Sequence, residues 1–224
     1  CLGNVNSNKT LYTLWKVINV NAIDRLGMSD HGPVHFQIVA NIALRLARLL
    51  TKNGVKMSTA SDFKLENNHS ELVIFLASIL HDLGMSISRE GHEEFSLILA
   101  NNLLYEILDF LPIEERTILA SEVLHAIIAH RNNGIPYTIE AGIIRVADAL
   151  DMSKGRSRIP YEAGRIDIHS ISAAAIDKVE IKEGGEKLIQ VVITMNNSAG
   201  IFQIDELLKS KLKGSRLEKY IEVT

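Results

Sequence analysis

Cysteine is almost missing from this chain: its 224 residues include a single one, Cys1. No internal disulfide can form, and a metal site built on several thiolates is excluded. A chain that starts at Cys1 rather than Met reads as trimmed or partial. A mature lipoprotein also begins with Cys, but nothing else in the sequence favours one. Long apolar runs are absent too. No stretch reaches the ~18 consecutive apolar residues of a membrane span, and no basic-then-apolar leader opens the chain, so neither a span nor a secretory signal is expected. Charge of one sign is not in excess either, with 24 Lys+Arg against 27 Asp+Glu and a net charge of −3. That balance gives no global pull toward polymeric nucleic acid or an anionic membrane. Repeats and low-complexity tracts are not found. What is present is an ordinary globular composition, 46% hydrophobic and 23% charged, in a length that suits one large domain or a main domain with a small appendage. The expectation is a cytoplasmic protein.

The first two thirds of the chain read as helices. Residues 10–26 have apolar positions at helical spacing and close on Gly27. Asp30 or Gly32 can cap the next helix, with Pro33 at its first position and a run to about Leu50. Residues 51–69 are polar and mixed and read as a loop. The almost wholly apolar segment 71–80 predicts a helix buried on most faces, running on to Asp82, with Gly84 free to take a left-handed terminating conformation. Helices over 92–109, 113–131 and 138–153 follow, punctuated by Pro112 and by the Asn132–Pro136 break. After Asp151 the pattern changes. Ser153–Arg158 is basic, and Val179 and Ile181, then Ile189, Val191 and Ile193, alternate with polar neighbours on either side of Gly184-Gly185. That is a β-hairpin by period and turn chemistry. A short helix at 203–213 and a strand within 217–223 are expected to follow. The fold class is therefore mainly α, a helical domain over 1–160 with a small α+β appendage over 161–224, and dimerisation through the hairpin region is a hypothesis.

Five separate segments deliver metal-capable side chains to the apolar side of a helix: His35, His81-Asp82, His92, His130 and Asp148. A single histidine on an apolar face is satisfied by one hydrogen bond and needs no ion. A carboxylate among Ile144, Ala147 and Leu150 is different, because a buried charge needs a counter-charge. At the end of the 71–82 helix the backbone leaves regular geometry, so His81 and Asp82 can converge on one ion. His125 lies about 140° around its helix from His130, so the two do not face one site, and His130 is favoured. All donors are nitrogen or oxygen, which suits one or two divalent ions of Mn, Fe, Zn, Co, Ni or Mg. Asp82 could bridge two ions, and Asp151 and His31 are candidates for proton transfer, although Asp151 also reads as a supporting group and His31 as an exposed loop residue. Arg131, Arg145, Lys154 and Arg156 are candidates for gripping phosphate, with Arg158 less so. His69 and His169 read as surface.

The "HGPVH" helix start at His35, "LHDLG" at 80–84 and "RVADALD" at 145–151 together resemble the HD superfamily of metal-dependent phosphohydrolases over roughly residues 30–155. The whole chain is similar to prokaryotic HD-domain proteins of unassigned substrate. The resemblance implies an HD-type helical bundle in which His35, His81, Asp82 and Asp148 are the core ligands. His92 and His130 would complete a second site, as in the branch with the fuller H…HD…H…H…D set. It implies cleavage of a phosphoester, with a nucleotide as the leading substrate class, by water activated at the metal. Two departures argue against cyclic dinucleotides: Met85 stands where such members often carry Lys after the HD motif, and their "HHE…GYP" block is only echoed by Ala129-His130-Arg131 and Gly134-Ile135-Pro136-Tyr137. Segments of the deoxynucleotide triphosphohydrolase branch are not seen. A di-iron oxygenase branch with a similar ligand set, and a non-catalytic nucleotide-binding sensor, are the rival functions.

Overall fold

The computed structural model describes residues 1–131, 133–152 and 168–224, with no side-chain description at 169 and 170. Helices α1 (Leu2–Ser7), α2 (Lys9–Asn19), α3 (Pro33–Lys52), α4 (Ser58–Phe63), α5 (Asn67–Leu80), α6 (His92–Ile107), α7 (Ile113–Ala129) and α8 (Ile139–Leu150) form a bundle. Helix α9 (Ile168–Ala174), strands β1 (Ile176–Glu183) and β2 (Ile189–Met195), helix α10 (Lys209–Leu212) and strand β3 (Ile221–Val223) follow. The protein is mainly helical with one small sheet, the class its sequence pattern predicts.

The most apolar stretch becomes the central helix. Val73, Ile74, Leu76, Ala77, Ile79 and Leu80 of α5 are all buried, because α3, α7 and α8 pack around it and an apolar surface on all sides must be covered on all sides. Helix α3 starts on Pro33 and buries Phe36, Val39, Ala40, Ala43, Leu46, Ala47 and Leu50 at steps of three and four. Each fully buried aliphatic side chain contributes roughly 1.5–3 kcal/mol, against ~1 kcal/mol for a good cap. Packing therefore contributes more to the stability of this helix than a cap would.

Several expectations change. The segment expected to be a loop over 51–69 contains α4, and α5 begins already at Asn67. The first amides of α4 are capped from far away: Ser58 N and Thr59 N donate to the buried Glu140 carboxylate of α8 at 3.1 and 2.8 Å. The helix expected over 10–26 is α2 followed by a wider π-helical turn, Val20–Arg25.

Strands β1 and β2 pair antiparallel, with Val179 opposite Ile193 and Ile181 opposite Val191. Strand β3 lies parallel to β2, with Ile189 opposite Ile221. In place of a regular helix over 203–213, a π-helical turn at Gln203–Leu208 runs into α10. Ile181, Ile189, Val191, Ile193, Leu217 and Ile221 join the same buried core as the bundle, and Arg45 Nε of α3 donates to the Ile181 carbonyl at 2.8 Å. The backbones also touch directly. A Cβ on Gly142 of α8 would stand 1.9 Å from the Ser215 carbonyl oxygen, so only glycine permits that approach. The expected boundary near residue 160 lies outside the described residues. Among the described residues, no helix is long and apolar enough to cross a membrane.

Candidate metal centre

Every side chain in the H…HD…H…H…D pattern sits at or near a helix end. His35 is in the first turn of α3, His81 follows the last residue of α5, His92 opens α6, His130 follows α7, and Asp148 lies in the last turn of α8. At Asp82 the backbone has left the helix (φ −102°, ψ 13°) and enters a 3-10 turn, Leu83–Ser86. Gly84 has a role other than the expected left-handed terminator, since it is not among the positive-φ residues. A Cβ there would stand 2.0 Å from the His92 carbonyl oxygen, so this glycine lets the start of α6 press against the HD turn.

The six side chains meet. His35 Nε2 is 3.2 Å from His81 Nε2, 3.5 Å from Asp148 Oδ1 and 3.8 Å from Asp82 Oδ2. His81 Nε2 is 3.6 Å from Asp82 Oδ2 and 3.8 Å from Asp148 Oδ1. The other oxygen of Asp82, Oδ1, faces His92 Nε2 at 3.1 Å and His130 Nε2 at 3.9 Å. One carboxylate thus presents each of its oxygens to a different pair of imidazoles. The sets His35–His81–Asp148, His81–Asp82–His130 and His92–Glu93–His130 each have ligand atoms within 4.8 Å of one another.

The far side of each ring is anchored to an oxygen. Nδ1 of His35 meets Asp151 Oδ2 at 2.6 Å, and Nδ1 of His81, His92 and His130 meets the carbonyls of Ser78, Arg89 and Ile127 at 2.9, 2.9 and 2.5 Å. A carbonyl only accepts, so these contacts place the ring proton on Nδ1 and turn the Nε2 lone pair toward the centre. Burial pushes His81 below the ordinary histidine pKa and takes His130 down to about 3. Burial raises Asp82, but His81, His92 and His31 outweigh it and hold the carboxyl well below its usual range. Asp148 is likewise held low, against its burial, by Lys211 and the surrounding histidines. Burial lowers His92, yet Asp82 outweighs it and raises the pKa. Converging lone pairs and carboxylates repel one another unless a cation lies among them, so this donor set fits a divalent ion.

The remaining sequence candidates separate. Asp151 is buried behind His35 and holds its Nδ1; it supports the ring and does not face the cavity. His31, expected to be exposed, is buried, only 7% exposed, and lines the cavity, its Nδ1 bonded to the Ser29 carbonyl at 2.8 Å. Arg131 also lines the cavity, paired with Glu94. Arg145 points elsewhere. Its guanidinium donates to the carbonyls of Lys211, Arg131, Gly134, Ser210 and Ala129, because a buried fork of donors needs acceptors and the main chain supplies them. Lys154, Arg156 and Arg158 lie outside the described residues. His125 stacks on Tyr137 and accepts from its amide at 2.9 Å, away from the cluster. His69, expected on the surface, is partly covered and faces Glu115 at 3.4 Å; the side chain of His169 is not described. Two cavity-lining cations were not foreseen, Arg89 and Lys211. Lys211 Nζ donates to the His130 carbonyl and lies 3.4 Å from Asp148 Oδ2. Its lysine-rich context on a short C-terminal segment carries no local signal of this.

A helical bundle whose helix ends share imidazoles and carboxylates defines a class of metal-binding α-domains. The family model of the HD domain matches residues 34–153, and the chain belongs to the HD-domain family, whose members are generally metal-dependent hydrolases. Uncharacterized protein MJ1020 of Methanocaldococcus jannaschii is 45% identical over 217 residues, covering 96% of this chain and 84% of its own. No solved structure matches this chain.

Proposed function

We propose that this protein is a metal-dependent phosphohydrolase that cleaves the phosphoester of a small molecule, with nucleotides the first class to test. The observation that carries this reading is the shared carboxylate: Asp82 Oδ2 faces His35 and His81 while Oδ1 faces His92 and His130. His35, His81, Asp148 and Asp82 would hold one divalent ion, and Asp82, His92 and His130 a second, drawn from Mn, Fe, Zn, Co, Ni or Mg. Such ions, when bound, supply Lewis acidity that makes a water nucleophilic near neutral pH and neutralises phosphoryl oxygens.

The protein's own groups do the rest. A cavity of about 500 Å³ opens over the cluster, within the ~300–1,000 Å³ range of small-molecule sites. His31, which lines the cavity, would take or return a proton. Asp151 fixes the His35 ring and so preserves its Nε2 face. Arg131 stands at the rim to meet anionic oxygens once released from Glu94.

The test is metal analysis of the purified protein, then a phosphoester screen with each ion. Manganese-dependent phosphate release, with metal lost from His81→Ala on dialysis, supports the reading. Iron content with O₂ consumption would indicate a di-iron oxygenase, and tight nucleotide binding without turnover a sensor. Light scattering tests the proposed homodimer.

A further inference from the structure

One wall of the cavity does not come from the bundle. Lys211 belongs to α10, beyond the residues 34–153 that the HD model matches, yet it lines the cavity beside Asp148 and His130. Its ammonium donates to the His130 carbonyl and stands 3.4 Å from Asp148 Oδ2, with the lysine side chain 12% exposed. A surface lysine samples many rotamers, but this one is delivered by a fixed backbone. Arg145 Nε donates to the Lys211 carbonyl at 2.8 Å and Nη2 to that of Ser210 at 3.3 Å. The next turn of chain lies directly against α8 at Gly142. Of the other cations lining the cavity, Arg131 is paired with Glu94 and Arg89 stands on the His92 side, away from Asp148.

We infer that Lys211 is a phosphate-binding residue of this site, its ammonium moving from Asp148 to a phosphoryl oxygen when a divalent cation takes over the carboxylate. The inference rests on the metal-dependent reading above. Asp148 turns Oδ1 to His35 and His81 and Oδ2 to the ammonium, so a divalent ion held on Oδ1 would draw off the negative charge that keeps the lysine at Oδ2. Once the ion neutralises the carboxylate, the lysine loses its counter-charge and faces a second positive charge, and an anion in the cavity restores the balance. A lysine suits this exchange, because its three donors let it keep the His130 carbonyl while a second N–H turns to the ligand. The C-terminal segment is then part of the site and not an appendage to it.

The experiment uses the full chain with Lys211→Met and Lys211→Arg, and Lys211→Gln in place of the methionine variant if that one does not fold. Manganese affinity is measured first, then the affinity of the manganese-loaded protein for inorganic phosphate, both by titration calorimetry. Lys211→Met is expected to bind manganese at least as tightly as the wild type, since a competing cation is gone. It should bind phosphate about 10–100-fold more weakly, the loss of one charge-assisted hydrogen bond. Lys211→Arg should recover most of that affinity. Wild-type phosphate affinity in Lys211→Met, or loss of its manganese binding together with a lowered melting temperature, overturns the inference while leaving the metal reading intact. A wild type that binds no metal overturns both.

Discussion

Replacing Arg145 with methionine should lower the melting temperature of this protein markedly. The side chain is 4% exposed, and its guanidinium reaches the carbonyls of Arg131 (2.5 Å), Lys211 (2.8 Å), Gly134 (2.8 Å), Ser210 (3.3 Å) and Ala129 (3.4 Å). Burial pulls its pKa below the usual arginine value, though arginine remains charged at any working pH. Methionine fills the aliphatic volume and leaves these carbonyls without their donor. A hydrogen bond from a charged donor contributes about 1.5–3 kcal/mol. One nitrogen serves three of the acceptors and two contacts are long, so about two full bonds are lost, roughly 3–6 kcal/mol. For a chain of this size each kcal/mol moves the midpoint about 2–4 °C, a fall of roughly 6–24 °C. Thermal unfolding followed by circular dichroism measures it. A fall below about 2 °C, accompanied by weakened phosphate binding, would mean that the guanidinium grips substrate after all and would refute the reasoning.

Three further outcomes follow from the geometry. Gly84→Ala places a Cβ 2.0 Å from the His92 carbonyl oxygen; displacing the start of α6 should cost about 1–3 kcal/mol and reduce bound manganese, and unchanged metal content would count against it. Asp151→Ala frees the His35 ring, held at 2.6 Å, and should weaken manganese binding about 10–100-fold with the helical circular-dichroism signal intact; equal affinity would remove Asp151 from any supporting role. Glu122 is raised from 4.5 to about 7 by burial, then by Glu140 and Asp62. A carboxyl with a raised folded pKa contributes stability that is full below its unfolded pKa and is lost as pH rises through 7. Because the residue is only partly buried, the loss is screened to about 1 kcal/mol. Glu122→Gln should therefore raise the melting temperature by about 2–4 °C at pH 8 and hardly at pH 5, whereas an equal gain at both values would sink this account.

The parts legible in the sequence are those written in local pattern. The spacing of Phe36, Val39, Ala43, Leu46 and Leu50 marks α3, Pro33 marks its start, and the alternation around Gly184-Gly185 marks the hairpin. Candidate donors could be collected because imidazoles and carboxylates are conspicuous at the ends of apolar helices, and helical angle alone separates His130 from His125. The illegible parts depend on contacts across long sequence distances. Helix α4 is capped by Glu140, and Gly84 is needed because His92 comes close, neither of which leaves a trace beside the residue concerned. Arg145 invites a phosphate-gripping role by its place one turn before Asp148, yet which way its guanidinium turns is set by carbonyls from two other segments. Lys211 reads as one solvated lysine among several until the C-terminal segment docks.

The carboxylate of Asp82, with an imidazole pair on each oxygen, has a thermodynamic corollary. If two ions bind as proposed, the first to arrive would draw electron density from the whole group, so the second would meet a weaker ligand and a positive neighbour. Loading would then be stepwise and anticooperative, and over a wide span of metal concentration the half-filled protein would be a species in its own right.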